Sequence, residues 1–272
     1  MSTRRWLTVV FFSVLLAGTG YLLGEACEQM EAACALLLDP SRLLVVLLRA
    51  VLTLGLVAVA AGLVAALFRP LWVAVLAHAL FAAAMLLGWR VTVVSAGLAA
   101  LSAVTGVISV VQTDADLRRR IAFSVRSVSE GQGIFVLALV VILVVSLYLG
   151  CAEHIRAEGF SAPSVYLSGI ADKMAQQLAS QAPLALRDRL EAEARAQVQG
   201  MLDALMAQWI KRYERLVPLG LALTLFTPLW AAARLALWAS ALVLRLLFGL
   251  LTSLGMAKFT VETVEAKRLV LS

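Results

Sequence analysis

The chain has 272 residues, of which 62% are hydrophobic and 15% charged, and its formal net charge is +6; its mean hydropathy is +0.94. A soluble domain is about half apolar and about a quarter charged, so this composition excludes a surface built to face water. The positive charge does not point to nucleic acid either: the arginines stand at the ends of apolar runs, where lipid head groups attract them, and no RNP-like, zinc-finger or helix-turn-helix pattern is present.

The first apolar run, Trp6 to Gly24, follows Arg4 and Arg5. The only small-x-small site, Ala33-Cys34-Ala35, lies well past it, so the run reads as an uncleaved transmembrane helix rather than a signal peptide. A short acidic segment, Glu25 to Leu38, is expected outside the membrane. Asp39-Pro40 then opens a second membrane helix over 43–68, with Asp39 as cap and Pro40 in the first turn. Arg69-Pro70 breaks it. A third helix is predicted over 71–88, a fourth over 91–111 and, after a charged loop at 112–133, a fifth over 134–150. Gly131-Gln132-Gly133 reads as the turn before that fifth helix, since it lacks the strand and helix of a phosphate loop.

The long polar stretch 151–215 breaks this rhythm. Its second half spaces Leu186, Leu190, Ala194, Val198, Leu202, Leu205 and Trp209 by three or four residues, which makes one apolar stripe on a helix. About 30 residues at about 1.5 Å each give a rod roughly 45 Å long. Its polar face mixes both charge signs, which favours contact with protein over contact with lipid. A sixth membrane helix is expected over 216–233. The next run, 235–256, contains Arg245, and a central Arg costs about 2.5–3.5 kcal/mol on the insertion scale. That run is therefore a seventh crossing or an interfacial helix, and 258–272 is a Val/Thr-rich tail.

The expected fold is all-α: a polytopic membrane bundle of six or seven transmembrane helices with a long amphipathic helical hairpin or rod outside the membrane. Residues 1–150 form helices one to five, 151–215 the extracytoplasmic module, 216–257 the closing helices and 258–272 the tail. Arg4, Arg5, Arg69, Arg118 to Arg120, Arg126 and Arg234 are set against Arg42 and Arg90 in the short outer loops and Arg156, Lys211, Arg212 and Arg215 at the ends of the long one, which counts less. This balance favours an N-terminus in the cytoplasm. The Ala/Leu/Val/Arg-heavy vocabulary suits a bacterial inner membrane.

Few polar residues lie where lipid would make them costly. Thr92, Ser95, Ser102, Thr105, Gly106 and Ser109 recur on one face of the fourth helix, as a packing stripe or as the wall of a pathway. His78 lies near the centre of the third helix, where an ionisable group marks a functional candidate, and Arg245 is the other such group. Gly20 and Gly24 form a GxxxG packing pair. Cys27, Cys34 and Cys151 all fall toward the outer side. Plain burial competes there with a disulfide involving Cys151. Cys27 and Cys34 cannot bond within one straight helix, being about 10.5 Å apart against a limit of about 7 Å. Cys151-x-x-His154 is a weak zinc pattern, and the Cys27–Cys34 spacing is not a usual one; no metal and no cofactor are expected.

No Ser/His/acid set, HExxH motif or buried carboxylate pair appears, so the chain is not read as an enzyme. Two functions follow. One is a scaffold or assembly protein that self-associates or binds a membrane-protein partner through the stripe of Leu186, Leu190, Val198, Leu202, Leu205 and Trp209. The other is an oligomeric channel or small-solute transporter lined by the fourth helix.

Overall fold

A computed structural model describes residues 3–36, 40–68, 71–119, 125–158, 200–201 and 216–253. Among them there is no strand. The helices are α1 (Thr3–Leu36), α2 (Pro40–Leu67), α3 (Leu71–Leu87), α4 (Val93–Arg119), α5 (Val125–Gly131), α6 (Gly133–Glu158) and α7 (Val217–Ser253). Five helical spans are long and apolar enough to cross a membrane: Val9–Cys34, Arg42–Leu67, Val93–Leu117, Val128–Ala157 and Val217–Leu250. α3 is equally apolar but has 17 residues. In lipid each backbone amide must be satisfied within its own segment, and helices do that. The outer surface matches: Trp238 is 70% and Leu246 73% exposed, as are many other leucines and valines. Water would not tolerate so much apolar surface on a monomer.

The boundaries differ from the expectation in three ways. α1 does not stop at Gly24. Leu23, Ala26, Cys27, Met30 and Ala33 carry its buried stripe onward, while Glu25 and Glu28 occupy the exposed face. The acidic segment is therefore the polar face of a continuing helix. α4 and α6 likewise run on to Arg119 and Glu158, so the boundary at residue 150 falls inside a helix.

The third difference changes the helix count. The sixth and seventh helices are one, α7, of 37 residues. Leu229, Ala233, Leu237, Ser240, Leu244 and Phe248 form a single buried stripe through it. Arg234 does not interrupt that stripe: it is exposed, and its guanidinium lies 5.2 Å from the centre of the Trp230 ring. The predicted rod, with Leu186, Leu190, Val198, Leu202, Leu205 and Trp209, lies outside the described residues, as do Asp39, Arg69-Pro70 and the tail.

α1 packs against α2, α3 and α6; α4 lies against α3 and α6, and α7 against α2 and α6. Close contacts give the direction of each helix. Gly20 meets Phe81, and Gly24 meets Met85 and Gly88, so the partners rise together along α1 and α3. The pairs Cys27–Ser146 and Cys34–Cys151 rise together along α1 and α6. Gly55–Ala236 and Gly62–Leu244 do so along α2 and α7. Thus α1, α3 and α6 run one way, and α2, whose later half meets Gln132 at the start of α6, runs the other way with α7 beside it. The end of α6 and the start of α7 consequently share one end of the bundle, and residues 159–216 join them there.

Inside lipid there is little hydrophobic drive between helices, so association rests on close packing. Gly24 and Gly88 show this most clearly. A Cβ on Gly24 would run into the Met85 carbonyl and lie 2.9 Å from the Gly88 carbonyl carbon. A Cβ on Gly88 would run into the Tyr21 carbonyl. The GxxxG pair therefore packs α1 on α3 backbone to backbone.

The turn after α3 is tied back to α1. Trp89 is buried, and its indole N–H donates to Glu31 Oε1 at 2.9 Å. Trp89→Phe is expected to cost about 1.5–3 kcal/mol, the range of a hydrogen bond to a charged group. Glu31→Gln keeps an acceptor oxygen and should cost less. Unfolding of both variants in mixed detergent micelles measures the difference.

Candidate functional site

α4 opens with a reciprocal cap. Thr92 Oγ1 accepts from the Ser95 amide at 3.0 Å, and Ser95 Oγ accepts from the Thr92 amide at 2.7 Å. This arrangement satisfies free amides at a helix start. Thr92 is exposed and Ser95 is buried, so Thr92 is an end cap and not part of an interior wall.

Further along, Ser102, Thr105, Ser109 and Thr113 form a buried stripe. Thr113 belongs to it because α4 continues to Arg119, past residue 111, where the apolar run predicts the end of this helix. Most of these hydroxyls bond back onto α4 itself: Ser102 to the Ala99 carbonyl at 2.7 Å, Thr105 to Leu101 at 2.9 Å and Thr113 to Ser109 at 2.8 Å. Hydroxyls used in this way are satisfied without a solute or a partner helix.

His78 sits against that stripe and is fully buried. Its Nδ1 lies 2.9 Å from the Ala74 carbonyl. A carbonyl only accepts, so Nδ1 carries a proton, and in a neutral ring Nε2 is then the acceptor. The ring lies over Gly106, where a Cβ would collide with Cδ2 and stand 2.8 Å from Nε2. On its other side the edge of the ring meets Phe135, with centroids 5.6 Å apart, and Phe135 meets Phe81 in the same manner. Gly106 thus gives the imidazole its room.

Gln132 is the residue that sequence reasoning missed, because it stands in the turn between α5 and α6. Its side chain is fully buried, and Nε2 donates to the Ala58 carbonyl of α2 at 2.9 Å. Through this bond one side chain joins three helices. Its sequence signal is an amide flanked by two glycines at the foot of an apolar helix. Three buried polar atoms have no hydrogen-bond partner among the described residues: His78 Nε2, Ser109 Oγ and Gln132 Oε1. Ser109 follows Gly106 by about one helical turn, and Gln132 precedes Phe135 by about one turn. Ser109 thus lies about one turn along α4 from the His78 contact at Gly106, whereas the Gln132 amide reaches across to α2 at Ala58, beside Gly62 and Leu244.

No protein-family model matches the chain, and no curated protein or solved structure is detectably similar to it.

Arg245 is not among these buried residues. It is exposed on the outer face of α7, while its neighbour Leu244 packs at Gly62 and Gln132, level with the first turn of α6. Its long stem can carry the guanidinium toward the head groups at that end. The three cysteines are free thiols. Cys27 is fully buried and bonds to Ser146, while Cys34 and Cys151 bond to each other. Among the described residues no group of three or more His, Cys, Asp or Glu side chains is placed to hold a metal.

Proposed function

We propose that this chain is a non-enzymatic scaffold of a cell membrane, in bacterial terms the inner membrane. In this reading it crosses six times, and the module at 151–215 engages a second copy or a membrane-protein partner on the outer side. The carrying observation is the way the α4 hydroxyls are used. Ser102, Thr105 and Thr113 are buried in a helix that lies against α3 and α6, and each is bonded to a carbonyl of its own helix, as in a packing stripe. Buried inside a single chain, that stripe is not available to line the axis of an oligomer.

The N-terminus lies in the cytoplasm in this reading. Since α1 and α7 begin at opposite ends, the start of α1 and the end of α7 share a side. In this topology Arg4, Arg5, Arg69, Arg118 to Arg120, Arg126, Lys258, Lys267 and Arg268 fall on that side, against Arg42, Arg90, Arg156, Lys211, Arg212 and Arg215 on the other. The positive-inside rule supports that orientation.

A second reading keeps a specific observation. The unpartnered atoms of His78, Ser109 and Gln132 would suit a small polar solute passing through the bundle. Two experiments decide. Cross-linking in native membranes is expected to trap dimers or larger assemblies, and Leu190→Asp with Leu205→Asp to remove them; monomers alone would end the self-associating form of the scaffold. Purified protein in liposomes is expected to pass no ions or small solutes above background. Flux abolished by Ser109→Trp would replace the scaffold by a pathway.

A further inference from the structure

We propose that Cys34 and Cys151 are a disulfide-forming pair that staples α1 to α6 at the end of the bundle where residues 159–216 attach. Three observations place the two sulfurs together. The helices run parallel, so that Cys27 faces Ser146 and, farther along both, Cys34 faces Cys151. The backbones touch one turn before Cys34: a Cβ on Gly150 would run into the Glu31 carbonyl. Only a residue without a side chain lets α6 come this near, and the next residue is Cys151. The thiols of Cys34 and Cys151 already hydrogen-bond each other.

Cys27 is excluded as a partner. It is fully buried two turns deeper, and its thiol is hydrogen-bonded to Ser146, whose Oγ donates to the Ile142 carbonyl at 2.9 Å. The two remaining cysteines differ in access. Cys151 is fully buried, whereas Cys34 is half-buried. Cys34 is therefore the thiol that meets an oxidant and Cys151 the one that resolves it. The oxidant is a disulfide, either a small one such as oxidised glutathione or a disulfide-bearing oxidoreductase. The Cys34 thiolate attacks one of its sulfurs and expels the first thiolate. The Cys151 thiolate then attacks Cys34 Sγ and expels the second. Two protons and two electrons leave the pair, and the oxidant becomes two thiols.

Closing this bond requires only that the thiols be near; closing it in the cell also rests on the outward placement proposed above, since disulfides persist in oxidising compartments. The test separates the two. Folded protein in detergent is treated with oxidised glutathione, then denatured and alkylated with a maleimide. Of three cysteines, only Cys27 should be labelled, with intact mass lower by two hydrogens before alkylation and a Cys34–Cys151 cross-linked peptide after digestion. C27S should behave identically, C34S and C151S should each lose the bond, and Gly150→Leu should slow its formation at least tenfold by wedging the helices apart. The oxidised protein should also unfold at a higher temperature than C34S. Three labelled thiols after oxidation, or a bond that includes Cys27, would overturn the pair. Acid-trapped membranes from cells should show the bond already formed. A pair that closes in detergent yet is reduced in the cell leaves the chemistry standing and overturns the outward placement.

Discussion

Gly24→Val is expected to be among the most damaging single changes in this protein. The new side chain would have to occupy space held by the Met85 carbonyl and the Gly88 backbone. Neither is the free end of a flexible chain, so α1 and α3 must separate. Insertion into a packed interface costs about 1–3 kcal/mol and sometimes more, and here the loss extends to Gly20 against Phe81 and to the Trp89–Glu31 bond above it. Unfolding of the variant in detergent should show a loss at the upper end of that range. Gly18→Val on the same helix is the control, since a Cβ there has no neighbour within 4 Å. Equal losses for the two variants would mean that the α1–α3 contact is not the seat of the effect.

The second large effect concerns Gly106 and His78, and it is a coupling. Gly106→Ala places a methyl into the imidazole, and the ring cannot swing aside without giving up its bond to Ala74 or its contact with Phe135. A loss of about 1–3 kcal/mol is expected. His78→Ala alone leaves a cavity lined by Gly106 and Phe135, with a loss of about 2–4 kcal/mol by analogy with large-to-small core changes. The double variant fills part of that cavity with the new methyl, so it should be more stable than the sum of the singles by about 1–2 kcal/mol, as residues in direct contact are. Additive losses would show that the glycine is there for some reason other than the ring. The same variants bear on function. If His78 only fills space, they change stability and leave liposomes tight.

Much of the bundle is legible in the sequence because lipid imposes a simple rule. A stretch of about 20 apolar residues reads as a span wherever it falls, and α2 and α3 begin and end within a few residues of where their apolar runs do. Pro40 stands at the first helical position, as its missing donor demands. Polar residues mislead when they are taken as ends. Glu25, Glu28 and Arg234 look like boundaries in one dimension, yet each sits on the exposed face of a helix whose buried stripe continues beneath it. A single charge every turn or two does not stop a helix; it only chooses a side.

The candidate site was only half visible for the same reason. His78 and the α4 hydroxyls stand out as polar residues inside apolar runs. Gln132 does not, because it lies in a glycine-flanked turn that reads as loop, and its burial depends on α2 offering the Ala58 carbonyl. Arg245 looked like an interior charge until α7 proved to be one helix with that residue on its outer face.

Composition and apolar spacing by themselves determined that this is a helical membrane protein, where most of its spans run, and which residues could matter, since hydrophobic length and helical period are local properties. Only the tertiary structure decided that the last two apolar runs are one helix among the described residues, that Gly106 makes room for His78, and that Cys34 meets Cys151 while Cys27 meets Ser146. Those pairings join residues far apart in the chain, and they depend on where bare glycine backbones let one helix lie against another.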